Sequence, residues 1–246
     1  MVSLCPPPNP DARWAYFIDL DGTLIELALR PDAVTVPPGL PVLLGRLRQA
    51  TEGAVAIVTG RPISTVDTLL APLHLPVAGL HGLERRRSDG SVLRAAAPET
   101  ALRDVRDTLK RFAGTDERLL IEDKGLTVAL HFRLAPERTD EIDHLIKDLA
   151  PRVAPALVPI AGKSVVEFKP PTTHKGLAIR AFLEEAPFCG RLPVFLGDDV
   201  TDEDGFTALG AMGGISIRIG TPQPTHARFG LPSVAAAHDW LAQLSG

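Results

Sequence analysis

Three short apolar runs punctuate the chain, and each stops abruptly at a polar cluster. Trp14 to Ile18, Ala54 to Val58 and Pro193 to Leu196 do not alternate with polar residues, the pattern of strands buried on both faces of a parallel sheet. Between the first two, Leu40, Leu43, Leu44 and Leu47 recur at helical spacing within Pro37 to Ala50. Pro62 is placed to open a second helix reaching Leu70, since its fixed φ suits a first turn. Pro76 to Leu80 reads as a further strand ending at His81, a plain turn or core histidine, and Arg85 to Gly90 reads as a charged turn. Towards the end, a helix opened by Thr173-His174-Lys175-Gly176 and running to Glu184, a strand over Ser216 to Ile219 and a closing helix over His238 to Leu244 are predicted.

From about Pro98 to Pro171 the rhythm changes to helix, hairpin, helix, hairpin. Helices are predicted over Glu99 to Phe112 and Arg138 to Val153. One hairpin joins Leu119–Glu122 to Leu126–Arg133 through Asp123-Lys124-Gly125; the other joins Leu157–Ile160 to Val165–Lys169 through Ala161-Gly162. A glycine in each turn supports both. Alternation puts Leu126, Val128, Leu130 and Phe132 on one face, with Val166 and Phe168 in the same role on the later strand. The opposite face carries Glu122, Lys124, His131, Arg133, Lys163 and Glu167. From pattern alone this is the solvated side of an ordinary two-layer unit. The expected organisation is an α/β core made of residues 1–97 and 172–246, interrupted by an αββαββ insert at 98–171.

Composition narrows the class. With 246 residues and 45% of them hydrophobic, a full-sized core is available and wholesale disorder is excluded. A net charge of −4 leaves no basic footprint for nucleic acid. Cys5 and Cys189 form no disulfide framework, so a reducing cytoplasm is the expectation. No apolar run reaches transmembrane length and no signal-like start is visible, so no membrane association is expected. The expected state is a monomer acting on a small molecule. The proline-rich lead from Cys5 to Pro10 is expected to stay mobile. Only Lys110, Lys124, Lys147, Lys163, Lys169 and Lys175 are lysines, in a chain otherwise using arginine. Lys110 and Lys147 read as solvated helix residues; the other four stand where a compact point charge has a use.

The chemistry lies where the apolar runs end. The first stops at Asp19-Leu20-Asp21-Gly22, the second at Thr59-Gly60-Arg61, the third at Gly197-Asp198-Asp199, with Asp202, Glu203 and Asp204 behind it. Two carboxylates so close repel, and a hard divalent cation would relieve them. On the first stretch alone, a strand followed by a common Asp-Gly turn explains as much. Ligands of open parallel sheets bind beyond the carboxyl ends of the strands, and three such endings together look like a magnesium and phosphate site.

These segments, with Lys175, resemble the four motifs of the haloacid dehalogenase superfamily. The string Gly197-Asp198-Asp199-Val200-Thr201-Asp202-Glu203-Asp204 is similar to that of its trehalose-6-phosphate phosphatases, and the likeness spans about residues 14 to 220. The resemblance implies a Rossmannoid core with a parallel sheet and an inserted α+β cap for substrate recognition. It implies Asp19 as nucleophile, forming an aspartyl-phosphate, and Asp21 as acid and base. Mg2+ would sit on Asp19, the Asp21 backbone carbonyl and Asp198, with Asp199 and Asp202 positioning metal water or Lys175, or ligating directly. Thr59, Gly60 and Lys175 would hold the phosphoryl oxygens. Glu122, Lys124, Arg133, Lys163 and Glu167 would grip the sugar. The alternatives are a capped phosphatase for another sugar phosphate, such as sucrose phosphate or mannosyl-phosphoglycerate, and a non-catalytic sugar-phosphate sensor.

Overall fold

The computed structural model describes residues 4–221 and 224–244. In chain order its elements are β1 (Ala15–Ile18), α1 (Leu40–Ala50), β2 (Val55–Val58), α2 (Ile63–Leu70), β3 (Val77–Gly79), β4 (Glu84–Arg86) and β5 (Val92–Arg94). There follow α3 (Glu99–Ala113), β6 (Leu120–Asp123), β7 (Val128–His131), α4 (Thr139–Val153), β8 (Val158–Gly162) and β9 (Val165–Lys169). The chain closes with α5 (Lys175–Leu183), β10 (Pro193–Gly197), α6 (Glu203–Ala211), β11 (Ile215–Ile219), β12 (Phe229–Leu231) and α7 (Val234–Ala242). Among the described residues no helix is long and apolar enough to cross a membrane.

The chain divides into two compact units, one of residues 1–28, 34–94 and 174–246, the other of residues 29–33 and 95–173. In the first, among the described residues, eight strands form one sheet in the order β12-β11-β10-β1-β2-β3-β4-β5. It is parallel from β12 to β3, and β4 and β5 add an antiparallel edge. Every residue of β1, β2 and β10 is buried, as unbroken apolar runs require. Tyr16 and Ile18 point to one face, where Leu40, Leu44 and Leu47 of α1 and Trp240 of α7 cover them. Phe17 points to the other, against Phe182 of α5 and Phe188, with Phe195 and Phe206 in the same layer. Helices on both faces make this a doubly wound α/β fold, with β1 at its centre.

Three local expectations are corrected. The charged turn over Arg85 to Gly90 is narrower than expected: Arg85 and Arg86 already belong to β4, which pairs with β3 and β5, and Arg86 grips the Asp67 carboxylate with two bonds of 2.7 and 2.8 Å. The closing helix begins at Val234, four residues earlier than predicted, where the Ser233 hydroxyl accepts from the Ala236 amide and caps it. The proline-rich lead is tied down. Cys5 bridges to Phe229 beside β12, and the Trp240 indole donates to the Pro8 carbonyl at 2.9 Å.

In the second unit, four strands pair antiparallel in the order β6-β7-β9-β8. Leu102, Val105 and Leu109 of α3 and Ile142 and Leu149 of α4 pack on Val128, Leu130, Val166 and Phe168, the residues that alternation placed on the apolar face.

Gly205 on α6 lies against the Phe195 ring so closely that an added Cβ would overlap it. Alanine is normally the better helix former, but here overpacking wins. Gly205→Ala should destabilise the fold by about 1–3 kcal/mol in denaturant unfolding; a stabilised variant would contradict this packing.

Candidate active site

Register brings the strand ends together. Ile18 pairs with Leu196 on one side and Ile57 on the other, so the residues after each strand emerge at one edge of the sheet. The chain runs outward in opposite directions from β1, through β2 on one side and β10 on the other, which makes this edge the topological switch point where such sheets bind ligands. Tight backbone is needed to fit the groups in. Gly22 sits at φ +76°, and a Cβ there would overlap the Asp198 carboxylate; a Cβ on Gly197 would overlap Asp202.

The result is a dense acidic cluster. Asp19, Asp198 and Asp202 are all buried, and each offers an oxygen within 4.8 Å of the others. The Lys175 ammonium, at the first turn of α5, donates to Asp19 Oδ1 at 2.8 Å and to Asp202 Oδ1 at 2.7 Å. Burial pushes the Asp19 carboxyl well above the usual carboxylate range, and the charges of Asp202 and Asp198 push the same way; Lys175 offsets this only in part. Burial works against the Lys175 ammonium, yet Asp19 and Asp202 outweigh it and raise its pKa. Asp202 also accepts the Asp198 and Asp199 amides on Oδ2, at 3.0 and 2.9 Å. Asp199 turns away and caps the following turn by accepting the Val200 amide.

Asp21 stands apart from these three side chains. Its carboxylate receives two bonds from Arg61, at 2.6 and 2.7 Å, a bidentate pairing that fixes its plane. Sequence reading noted Arg61 in its motif but gave it no partner, since nothing in spacing links positions forty apart. Thr59 is buried, and its hydroxyl accepts the Arg61 amide at 3.2 Å. Gly60 is needed as glycine because a Cβ would come within 2.9 Å of His81 Nε2. His81 itself is buried in the left-handed region at φ +59°.

In the second unit, Glu122, Ala129 and Glu167 share one cross-strand row. Small Ala129 leaves room between the two acids. The Lys124 ammonium fills it, 3.0 Å from Glu167 and 3.8 Å from Glu122, and His131 Nε2 lies 2.8 Å from Glu122. Although burial would raise the Glu122 carboxyl, the bond to His131 and the charge of Lys124 hold it below its usual value. Arg133 donates to the Lys163 backbone carbonyl at 3.0 Å. Glu122, Lys124 and Glu167 are thus assembled, and His131 joins them.

A doubly wound sheet that delivers an acid pair, a hydroxyl-glycine loop, a lysine and a second acidic loop to one edge has the layout of the haloacid dehalogenase-type phosphatases. Solved phosphatases of that superfamily share the fold. Residues 17–234 match the family model described as trehalose-phosphatase, and the chain belongs to that family. A probable trehalose-phosphate phosphatase of Sinorhizobium fredii is 45% identical over 95% of this chain and 88% of its own. The trehalose-6-phosphate phosphatase of Escherichia coli is 40% identical over 97% of this chain and 89% of its own. The C-terminal domain of a C. albicans trehalose-6-phosphate phosphatase superposes with a TM-score of 0.85 at 20% identity, over 94% of this chain and 92% of that one.

A raised Asp19 pKa means that the folded protein binds a proton more tightly than the unfolded chain, so stability falls as pH rises through that value. In a chelator, Asp19→Asn should therefore be more stable than the parent at about pH 7.5, with the gain shrinking near pH 4. Denaturant unfolding at both pH values checks this; equal stability at the higher pH would contradict it.

Proposed function

We propose that the chain hydrolyses trehalose 6-phosphate to trehalose and phosphate through a phosphorylated Asp19. The observation that carries the reading is the buried Asp19 carboxylate, held by Lys175 among Asp198 and Asp202 at the switch point of the sheet. The substrate is suggested by the names of the two relatives 45% and 40% identical.

The donor set suits a divalent cation. Three carboxylates within 4.8 Å of one another face the Lys175 ammonium, which leaves negative charge in excess, and all the donors are hard oxygens. Mg2+ would be held by Asp19, Asp198 and the Asp21 carbonyl. When bound, it supplies charge neutralisation and orientation of the phosphoryl group.

Asp19 attacks the phosphorus, forming an Asp–O–P bond as the P–O bond to the sugar breaks. Asp21 delivers a proton to the departing sugar oxygen. It then takes one from the water that cleaves the acyl phosphate, which restores Asp19 and releases phosphate. Arg61 orients Asp21 for both transfers, and one of its two bonds must yield when Asp21 carries the proton. Lys175, the Thr59 hydroxyl and the Gly60 amide stabilise the equatorial oxygens, where transition-state charge is spread. Asp202 serves Lys175 and the loop amides. In the second unit, Glu122 and Glu167 accept from sugar hydroxyls while Lys124 and His131 hold the two acids in place; Arg133 and Lys163 complete that polar face.

Phosphate release with Mg2+ should favour trehalose 6-phosphate over glucose 6-phosphate, sucrose 6-phosphate and an aryl phosphate, and should stop in chelator and in Asp19→Asn. Turnover by Asp19→Asn at more than a trace would remove it as nucleophile. Glu167→Ala should raise KM for trehalose 6-phosphate about ten-fold or more, the scale of a lost charged hydrogen bond, while aryl phosphate hydrolysis is spared. Equal losses on both substrates would sink the sugar-binding role.

A further inference from the structure

The Asp198 loop is held from behind by two residues that the chemistry above does not use. Arg218 lies on β11 opposite Gly197 of β10, and its side chain is only 5% exposed. Nη2 donates to the backbone carbonyl of Asp198 at 3.0 Å, and Nη1 donates to Glu203 Oε1 at 3.1 Å. Glu203 also accepts the Thr225 hydroxyl and the His226 amide, each at 2.7 Å, so the segment after β11 is fastened to the start of α6. Burying a guanidinium is costly unless its charge and donors are met, and Arg218 is the one charged residue of β11. A buried arginine at this point has some other use.

The use is legible in the peptide it touches. Asp202 holds the Asp198 amide and Arg218 holds the Asp198 carbonyl. With both backbone groups of one residue gripped, its φ and ψ are fixed, and the carboxylate has only its own side-chain torsions left. Glu203 cancels the charge of Arg218, so the guanidinium positions the loop without setting a net positive charge behind a cation site.

We propose that Arg218, balanced by Glu203, is a positioning residue that fixes the Asp198 carboxylate and thereby sets the affinity of the acidic cluster for a divalent cation. This rests on the reading of Asp198 as a metal ligand. Groups that orient metal ligands from the second layer commonly govern affinity as strongly as activity.

The test is Mg2+ binding to the full chain, followed by calorimetry and by the Mg2+ dependence of the melting temperature. Arg218→Met should raise the Mg2+ Kd about ten-fold or more. Arg218→Lys should recover part of the affinity, since an ammonium reaches the carbonyl or the carboxylate but does not fork to both. Glu203→Gln, which leaves the guanidinium unbalanced, should also weaken binding and serves if Arg218→Met does not fold. Arg86→Met breaks a comparable contact to Asp67 and the Leu75 carbonyl on β4; it should lower the melting temperature without changing the Kd. A parent protein that binds no Mg2+ overturns the metal reading and this proposal with it. A parent that binds, with Arg218→Met within two-fold of it, overturns the proposal alone.

Discussion

The structure is organised around an electrostatic imbalance. Asp19, Asp198 and Asp202 stand with Lys175 where almost no water reaches them, and carboxylates so placed repel one another with little screening. Much of the surrounding design serves to make this tolerable. Lys175 is drawn into the first helical turn, where an acid is ordinarily preferred, and bonds two of the three acids. Asp202 spreads its charge over two backbone amides. Arg61 takes the fourth acid, Asp21, out of the contest with a bidentate pair. Glycines at 22 and 197 let the loops close to a distance that no side chain there would permit.

The polar network of the second unit follows the opposite logic. Glu122 and Glu167 are matched by Lys124 and His131 within hydrogen-bonding reach, so its charges are satisfied from within. A network already hydrogen-bonded within itself suits an uncharged, hydroxyl-rich ligand, which can exchange hydrogen bonds one for one. The imbalanced cluster suits a cation and a phosphoryl group.

What could be read from sequence was what neighbouring residues declare. β1, β2 and β10 announce themselves because strands buried on both faces have no polar positions, and their abrupt polar endings mark the sheet edge. Alternation along β9 likewise put Glu167 on the polar face, and carrying the β6 strand forward put Glu122 and Lys124 there with it. The β4–β5 hairpin was hidden because Arg85 and Arg86 look like the start of a solvated turn, and only the distant partners Glu185 and Asp67 make room for them in a strand. Arg218 was hidden for a related reason. Its strand is recognisable, but the carbonyl and carboxylate it joins come from the loop after β10, and no local pattern records such a meeting. The same is true of Arg61 with Asp21. Residue types were legible; the pairings that give them roles were not.

The order of the strands also fixes when the site can come into being. Asp19 takes its ammonium partner from 156 positions later, and its amide bonds the Leu196 carbonyl. On the ribosome, β1 therefore emerges long before the strand that must lie beside it, and the Asp19 carboxylate meets its ammonium only after Lys175 has been made. A nascent chain short of that point carries Asp19 without the groups that surround it: the cluster comes into being only when synthesis passes the loop after β10.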